Sequence, residues 1–387
     1  MTSAVILTED DRGPLGPAVG RRIAYQKPFV DDTTLRFGIF WPFARTDFPS
    51  RVLEERNPHI TDIDSHIDLA RAVESVGLDM ILVPDVYASA VTSDAVGAEY
   101  LDPSTHGIVS AVPLILATSR IGIVSTIHTT FFHPVQIARF GGHLAHLSGG
   151  RWGWNIVVGR TDTDSSLFGF TEAVDRDSRY DLADECVELI EAIWASPVGF
   201  DFAGRQFNVK GKLRGPFPPT RPMLVSAAAS DRGHVFAVEH CDYLFTAATS
   251  PDHAVQLHTE MVDRATGIGR KPPALAVIAM VLIRNTPGEA ERAIAEIVDG
   301  IDADREGQVN EERLAKTRGM LTDYPALIGT ADEVAGKLID LHRTGVRGVV
   351  LRLPYWIPEE AARLAPVFDR LQAAGVWTPP AERAYSW

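Results

Sequence analysis

Short apolar runs recur along this chain, and after most of them apolar side chains return every three or four positions. The runs fall at 36–42, 79–83, 121–127, 152–158, 222–227, 243–247, 274–283 and 347–353. Their length and nearly unbroken apolar character are those of strands covered on both faces, as in a parallel sheet. The stretches between them carry the helical period. Across 61–76, Ile63, Ile67, Ala70, Val73 and Val76 fall on one face and Gly77 supplies the stop. The same reading predicts helices at 105–117, 178–194, 251–266, 330–344 and 358–374, and one from Pro134 to the Gly149–Gly150 pair. Another ends near His240 and another starts at Pro287. Eight strand–helix units in succession predict a (β/α)8 TIM barrel with insertions. A doubly wound sheet is the alternative, weakened because the loop at 41–47 has no Gly-x-Gly-x-x-Gly turn.

Segments without periodicity bound the domain. Residues 1–34 hold Gly13, Pro14, Gly16 and Pro17 and are expected to form an arm packed on a partner subunit. Residues 35–375 then make one barrel domain with insertions near 196–220 and 300–325, and 376–387 a C-terminal tail. The first insertion is rich in Pro and Gly and is expected to turn a short hairpin around 202–205. The second is acidic over 302–312 and reads as a surface helix or a lid.

Composition narrows the class. The chain has no run of eighteen apolar residues to span a membrane, and its net charge of −14 disfavours nucleic acid or an anionic membrane as partner. Its two cysteines, Cys186 and Cys241, read as buried thiols of a reducing compartment. The N-terminus lacks the basic region of a signal peptide, so a cytoplasmic location is expected.

In a β/α barrel, chemistry gathers just beyond the C-terminal ends of the strands. That rule selects Trp41 with Phe43, Pro84 with Asp85, His128 with Thr129, then Asn155, Arg160, Ser230 and Arg352. Asn155 is the one polar side chain in the apolar run 152–158, and a buried amide needs partners from protein or ligand. Ser230 opens a helix whose free N–H groups attract an anion, although it would also serve as a simple cap. Ser178 and Asp181 read as a capping pair, yet Arg179 between them opposes the helix dipole. A bound anion would remove that conflict; an ion pair with Asp175 or Asp181 is the plainer account. Arg160 would meet an acidic substrate group or pair with Asp162 or Asp164. His143 and His146 are three apart on a helix, but no third ligand completes a metal set, so no metal is expected.

Four motifs then carry a resemblance. Phe-His-Pro-x-x-x-Ala-Arg (132–139), Leu-Ser-Gly-Gly-Arg-x-x-x-Asn-x-Val-x-Gly (147–159), Ser-Arg-Tyr-Asp (178–181) and Ala-Ser-Asp-Arg-Gly (229–233) occur in order. Together they resemble the bacterial luciferase-like flavin-dependent monooxygenases, in particular the two-component branch. That branch includes the pyrimidine, dimethyl sulfone, alkanesulfonate and dibenzothiophene sulfone monooxygenases. The resemblance runs from about 36 to 374. It implies reduced FMN as co-substrate with O2, the FMN reduced by NAD(P)H on a separate flavin reductase. It also implies that Asn155 contacts flavin, that Arg179, Tyr180 and Ser230 hold its phosphate, that Pro84 and Asp85 line its ring and that Thr129 lies near the oxygen-reacting face.

The expected function is oxygenation or cleavage of a C–S, C–N or C–halogen bond in a small organic substrate. His128 is the expected proton donor beside Thr129 and Asn155, and Trp41, Phe43, Arg160 and Arg352 the expected substrate wall. The family's barrels are homodimers or homotetramers, and the same is expected here. Two departures separate this chain from its models: Ser166 stands near a position that is Glu in the pyrimidine enzyme, and 323–329 lacks the arginine-bearing insertion of the alkanesulfonate enzymes. A deazaflavin-dependent oxidoreductase and a non-catalytic flavin-binding barrel are the alternatives.

Overall fold

The computed structural model describes residues 3–6, 33–44, 50–88, 103–159, 162–170, 176–301 and 321–383, with isolated positions at 315 and 318–319. Eight strands form its centre: β1 (Arg36–Phe40), β2 (Met80–Val83), β3 (Gly122–His128), β4 (Trp152–Val157), β5 (Met223–Ala227), β6 (Tyr243–Thr246), β7 (Ala274–Ile283) and β8 (Gly348–Arg352). Each pairs in parallel with the next, and β8 returns to β1 through Gly348 opposite Arg36, closing the barrel. The (β/α)8 expectation holds.

Strand alternation divides the apolar residues into two layers. Met80, Leu82, Val124, Val225, Tyr243 and Val350 belong to a small cluster that fills the barrel. Their neighbours Ile81, Val83, Ile123, Leu224 and Val349 face the surrounding helices in the main core. Being covered on both faces is why these strands read as continuous apolar runs. The helices around them begin on side-chain caps: Ser230, Ser250, Thr286 and Thr330 each accept from the backbone N–H three residues on. Gly149 and Gly150, at φ 67° and 91°, make the left-handed turn from the helix Pro134–Leu147 into β4.

Several details differ from the sequence reading. The loop at 43–60 contains a short helix, Arg51–Arg56. The closing helix breaks into Pro358–Ala362 and Ala365–Ala373 because Pro366 has no N–H to give the preceding turn and its ring crowds that carbonyl. A three-residue strand, Leu327–Gly329, adds to the far end of β7, which at ten residues outruns the barrel. The hairpin joins Phe200–Ala203 to Asn208–Gly211, and Ser3–Ile6 pairs antiparallel with the first of these. The described piece of the N-terminal arm therefore lies on this chain's own hairpin. The acidic segment 302–312 lies outside the described residues. Cys186 and Cys241 are buried free thiols, raised above the ordinary range by burial. Among the described residues no helix is long and apolar enough to cross a membrane.

Candidate active site

The inward face of β3 continues from Val124 through Thr126 to His128, so apolar filling gives way to polar groups at the mouth of the barrel. Thr126 stands opposite Asn155 of β4, and the Asn155 Nδ2 donates to Thr126 Oγ1 at 3.0 Å. Both residues are buried, and Asn155 Oδ1 has no partner among the described residues. A buried carbonyl oxygen without a donor is costly, so this atom marks a place for a ligand donor. Thr129 is buried beside it, its N–H donating to Val157 O at 2.9 Å.

A second group of atoms converges on the start of two helices. Arg179 and Tyr180 lie in the opening turns of the helix Arg176–Ala195, and Ser230 caps Asp231–His240. The helix begins two residues earlier than its sequence suggests, so Ser178 sits inside the first turn and is not its cap; 171–175 lie outside the described residues. Arg179 Nη1 donates to Gly159 O at 3.3 Å, just past the end of β4, and its buried Nε has no partner among the described residues. Tyr180 packs against the other helix start: a Cβ on Gly233 would come 2.5 Å from the Tyr180 hydroxyl and 2.6 Å from Ala228 Cβ. Only glycine fits there, and the result is a small-residue cradle at a helix N-terminus, with the Tyr180 hydroxyl beside it and Arg179 one residue back on the facing helix. That donor set suits a phosphate.

Asp85 follows β2 and its carboxyl is turned toward the helix Gly107–Ala117. Its side chain is 2% exposed, with His106 Nε2 3.7 Å from Oδ2. Burial pushes its pKa up to about 7 against the opposing effect of backbone N–H groups of Gly107 and Val86, and the nearby charge of Asp164 adds to the rise. His106 caps that helix: its Nδ1 accepts from Ile108 N–H at 3.2 Å, so the ring proton is on Nε2. Burial lowers the His106 pKa and holds the ring neutral. Its Nε2 lies 3.3 Å from the Tyr87 hydroxyl, which burial keeps protonated.

Tyr87 is also the centre of a ring cluster. It meets His128, Phe131 and Phe168 edge-on at 5.3, 5.5 and 5.0 Å between ring centres, and Phe131 stacks on Phe168 at 4.2 Å. Asp164 accepts from Ala88 N–H at 2.9 Å and ties the loop after β4 to the loop after β2. His128 Nε2 is 3.3 Å from Asp85 O.

The remaining expected residues lie elsewhere around the mouth. Trp41 donates from its indole to His66 Nδ1 at 3.0 Å, and His66 Nε2 donates in turn to Ile60 O at 2.8 Å. With His66 and His106, Trp41 lines a cleft of about 280 Å³ between two outer helices. Phe43 is buried edge-on to Phe40 at 6.1 Å, and Arg352 lies over the Phe40 ring at 5.3 Å. Pro84 is buried next to Gly107. Arg160 lies outside the described residues. Sequence reasoning missed Tyr87, His106, Phe131 and Phe168. The one available signal was Tyr87, two residues beyond the selected Asp85.

Comparison with known proteins identifies the family and the shared fold. The profile described as luciferase-like monooxygenase matches residues 35–348. The N-acetyl-S-(2-succino)cysteine monooxygenase of Bacillus subtilis (strain 168) is 27% identical over 261 residues, covering 62% of this chain and 58% of that protein. The dibenzothiophene-sulfone monooxygenase of Rhodococcus erythropolis is 26% identical over 289 residues, covering 66% and 62%. The chain thus spans about three fifths of the length of these relatives. Among solved structures, a riboflavin lyase with modified FMN and riboflavin superposes with a TM-score of 0.80 at 22% identity, covering 89% of this chain and 93% of that one, which shows the shared fold. The matched profile, which covers most of the chain, places it in the luciferase-like monooxygenase family.

Proposed function

We propose that this chain is a two-component flavin-dependent monooxygenase that uses reduced FMN and O2 to oxygenate, or to cleave a C–S, C–N or C–halogen bond of, a small organic substrate. The observation that carries the reading is the convergence of Arg179, Tyr180, Ser230 and the Gly233 cradle at two helix starts. Asn155, with its unpartnered Oδ1, lies on the adjoining strand face. These residues would hold the phosphate at one end and a ring N–H at the other. When bound, reduced FMN supplies the oxygen chemistry. The protein's part is to hold it in place, to keep water out with the aromatic mouth, and to present Thr129 and His128, the latter as proton donor. Reduced FMN would come from a separate NAD(P)H-dependent flavin reductase, and the chain would work in the cytoplasm as a homodimer or homotetramer.

The test is a titration of wild type and Arg179→Ala with FMN, reduced FMN and a deazaflavin. Reduced FMN should bind best. The substitution should weaken it by about 1.5–3 kcal/mol, the worth of a charge-assisted hydrogen bond. Preference for the deazaflavin, or indifference to Arg179, would overturn the proposal.

A further inference from the structure

The ring cluster at the mouth is more than filler. Tyr87 comes from the loop after β2, His128 and Phe131 from the end of β3 and its loop, and Phe168 and Phe170 from the segment after β4. Phe131 lies 5.4 Å from His128 and 6.3 Å from Phe170, so the rings are contiguous. At one end His128 is 1% exposed, on the strand face shared by Thr126 and Asn155. At the other end Phe168 and Phe170 are 42% and 39% exposed. Large aromatic side chains at that exposure forfeit much of their burial energy unless something covers them.

Among the described residues, the polar groups packed against these rings offer no positive charge. The Tyr87 hydroxyl stays protonated and His106 stays neutral through burial, and Asp85 titrates near neutrality rather than as an ordinary carboxylate. Asp164 faces the same cluster, accepts from Ala88 N–H and adds a negative charge that a polycarboxylate would meet unfavourably. Among the described residues, no lysine or arginine stacks on Tyr87, Phe131, Phe168 or Phe170.

We propose that the Tyr87–Phe131–Phe168–Phe170 wall is the substrate subsite and selects a neutral, flat aromatic molecule over a polycarboxylate. The substrate's ring packs against the exposed faces of Phe168 and Phe170, and its reacting end points along β3 toward His128 and Asn155. This assigns the substrate class within the monooxygenase reading and rests on it for the reaction. Binding to the wall, however, is measurable without flavin.

The experiment is equilibrium binding of 2-naphthol and of citrate to purified wild type, Phe168→Ala and Phe168→Leu, each protein also titrated with reduced FMN. Phe168 is exposed on the loop side of a short helix, so its loss leaves the core intact. The proposal expects 2-naphthol to bind wild type and citrate not to compete. Phe168→Ala should weaken 2-naphthol roughly tenfold and Phe168→Leu less, as ring-on-ring contact requires, with reduced FMN affinity unchanged in all three. Citrate binding as well as 2-naphthol, or equal 2-naphthol affinity in wild type and Phe168→Ala, would overturn it. Loss of reduced FMN binding through Arg179→Ala with 2-naphthol binding intact would separate the cofactor site from this wall.

Discussion

Asp85 shows what a single residue's surroundings do to its chemistry. A carboxyl normally titrates near 3.8, and here burial moves it to about 7. Below both values the folded and unfolded chains hold the proton alike. Between about 4 and 7 only the unfolded chain releases it, so the folded state loses relative stability as pH rises through that window and levels off above it. The contribution is on the order of 4 kcal/mol at most. Asp85→Asn should therefore flatten the decline in urea-unfolding free energy between pH 4 and 7; the same slope in wild type and variant would sink this account. Asn155 and His128 were legible in the sequence because a polar residue in an apolar strand has few places to go. Tyr87 and His106 were not, since 19 positions separate them and no periodicity in the sequence says that they meet.

Elements fail or hold by their junctions. Glu185, on the helix Arg176–Ala195, is 5% exposed and accepts from the N–H groups of Arg205, Gln206 and Phe207 at 2.9, 2.8 and 2.6 Å. Those are the turn residues of the hairpin, whose backbone has little else to satisfy it. A Cβ on Gly204 would lie 2.0 Å from the Glu185 carboxylate, so the turn passes directly over it. The sequence suggested a hairpin at this place but not its anchor, which lies some twenty residues away on the face of a helix. Glu185→Ala should cost about 1.5–3 kcal/mol, the range for hydrogen bonds to a charged group. Because the loss is local, it should appear first as trypsin cleavage after the exposed Arg205. Unchanged cleavage kinetics would show that the turn stands without the carboxylate.

The whole barrel was legible because eight buried strands repeat one strand–helix pattern, and the doubly wound alternative lacked its Gly-x-Gly-x-x-Gly turn at 41–47. What closes its lower end was hidden, because 376–387 has no periodicity to read. The described part of that segment packs against the barrel: Leu35 N–H donates to Val376 O at 2.8 Å, and Trp377 stacks on Phe368 at 4.7 Å between centres. The Arg383 guanidinium then reaches Asp79, at side-chain exposures of 8% and 5%. Asp79 accepts from Phe37 N–H at 2.8 Å through its other oxygen, so one carboxylate joins the C-terminal segment, β1 and the turn before β2. Removing Arg383 would leave that buried carboxylate with only the Phe37 N–H and the nearby charge of Arg36. Arg383→Met should therefore destabilise the fold by about 3–5 kcal/mol, as breaking a buried ion pair does, while adding Asp79→Asn should recover part of the loss. Chemical denaturation of the single and double variants measures both. The proposed phosphate cradle lies at the opposite end of the strands, so reduced FMN affinity in the folded single variant should match wild type. A matching fall in affinity would mean that the lower seal sets the geometry of the mouth as well as the stability of the barrel.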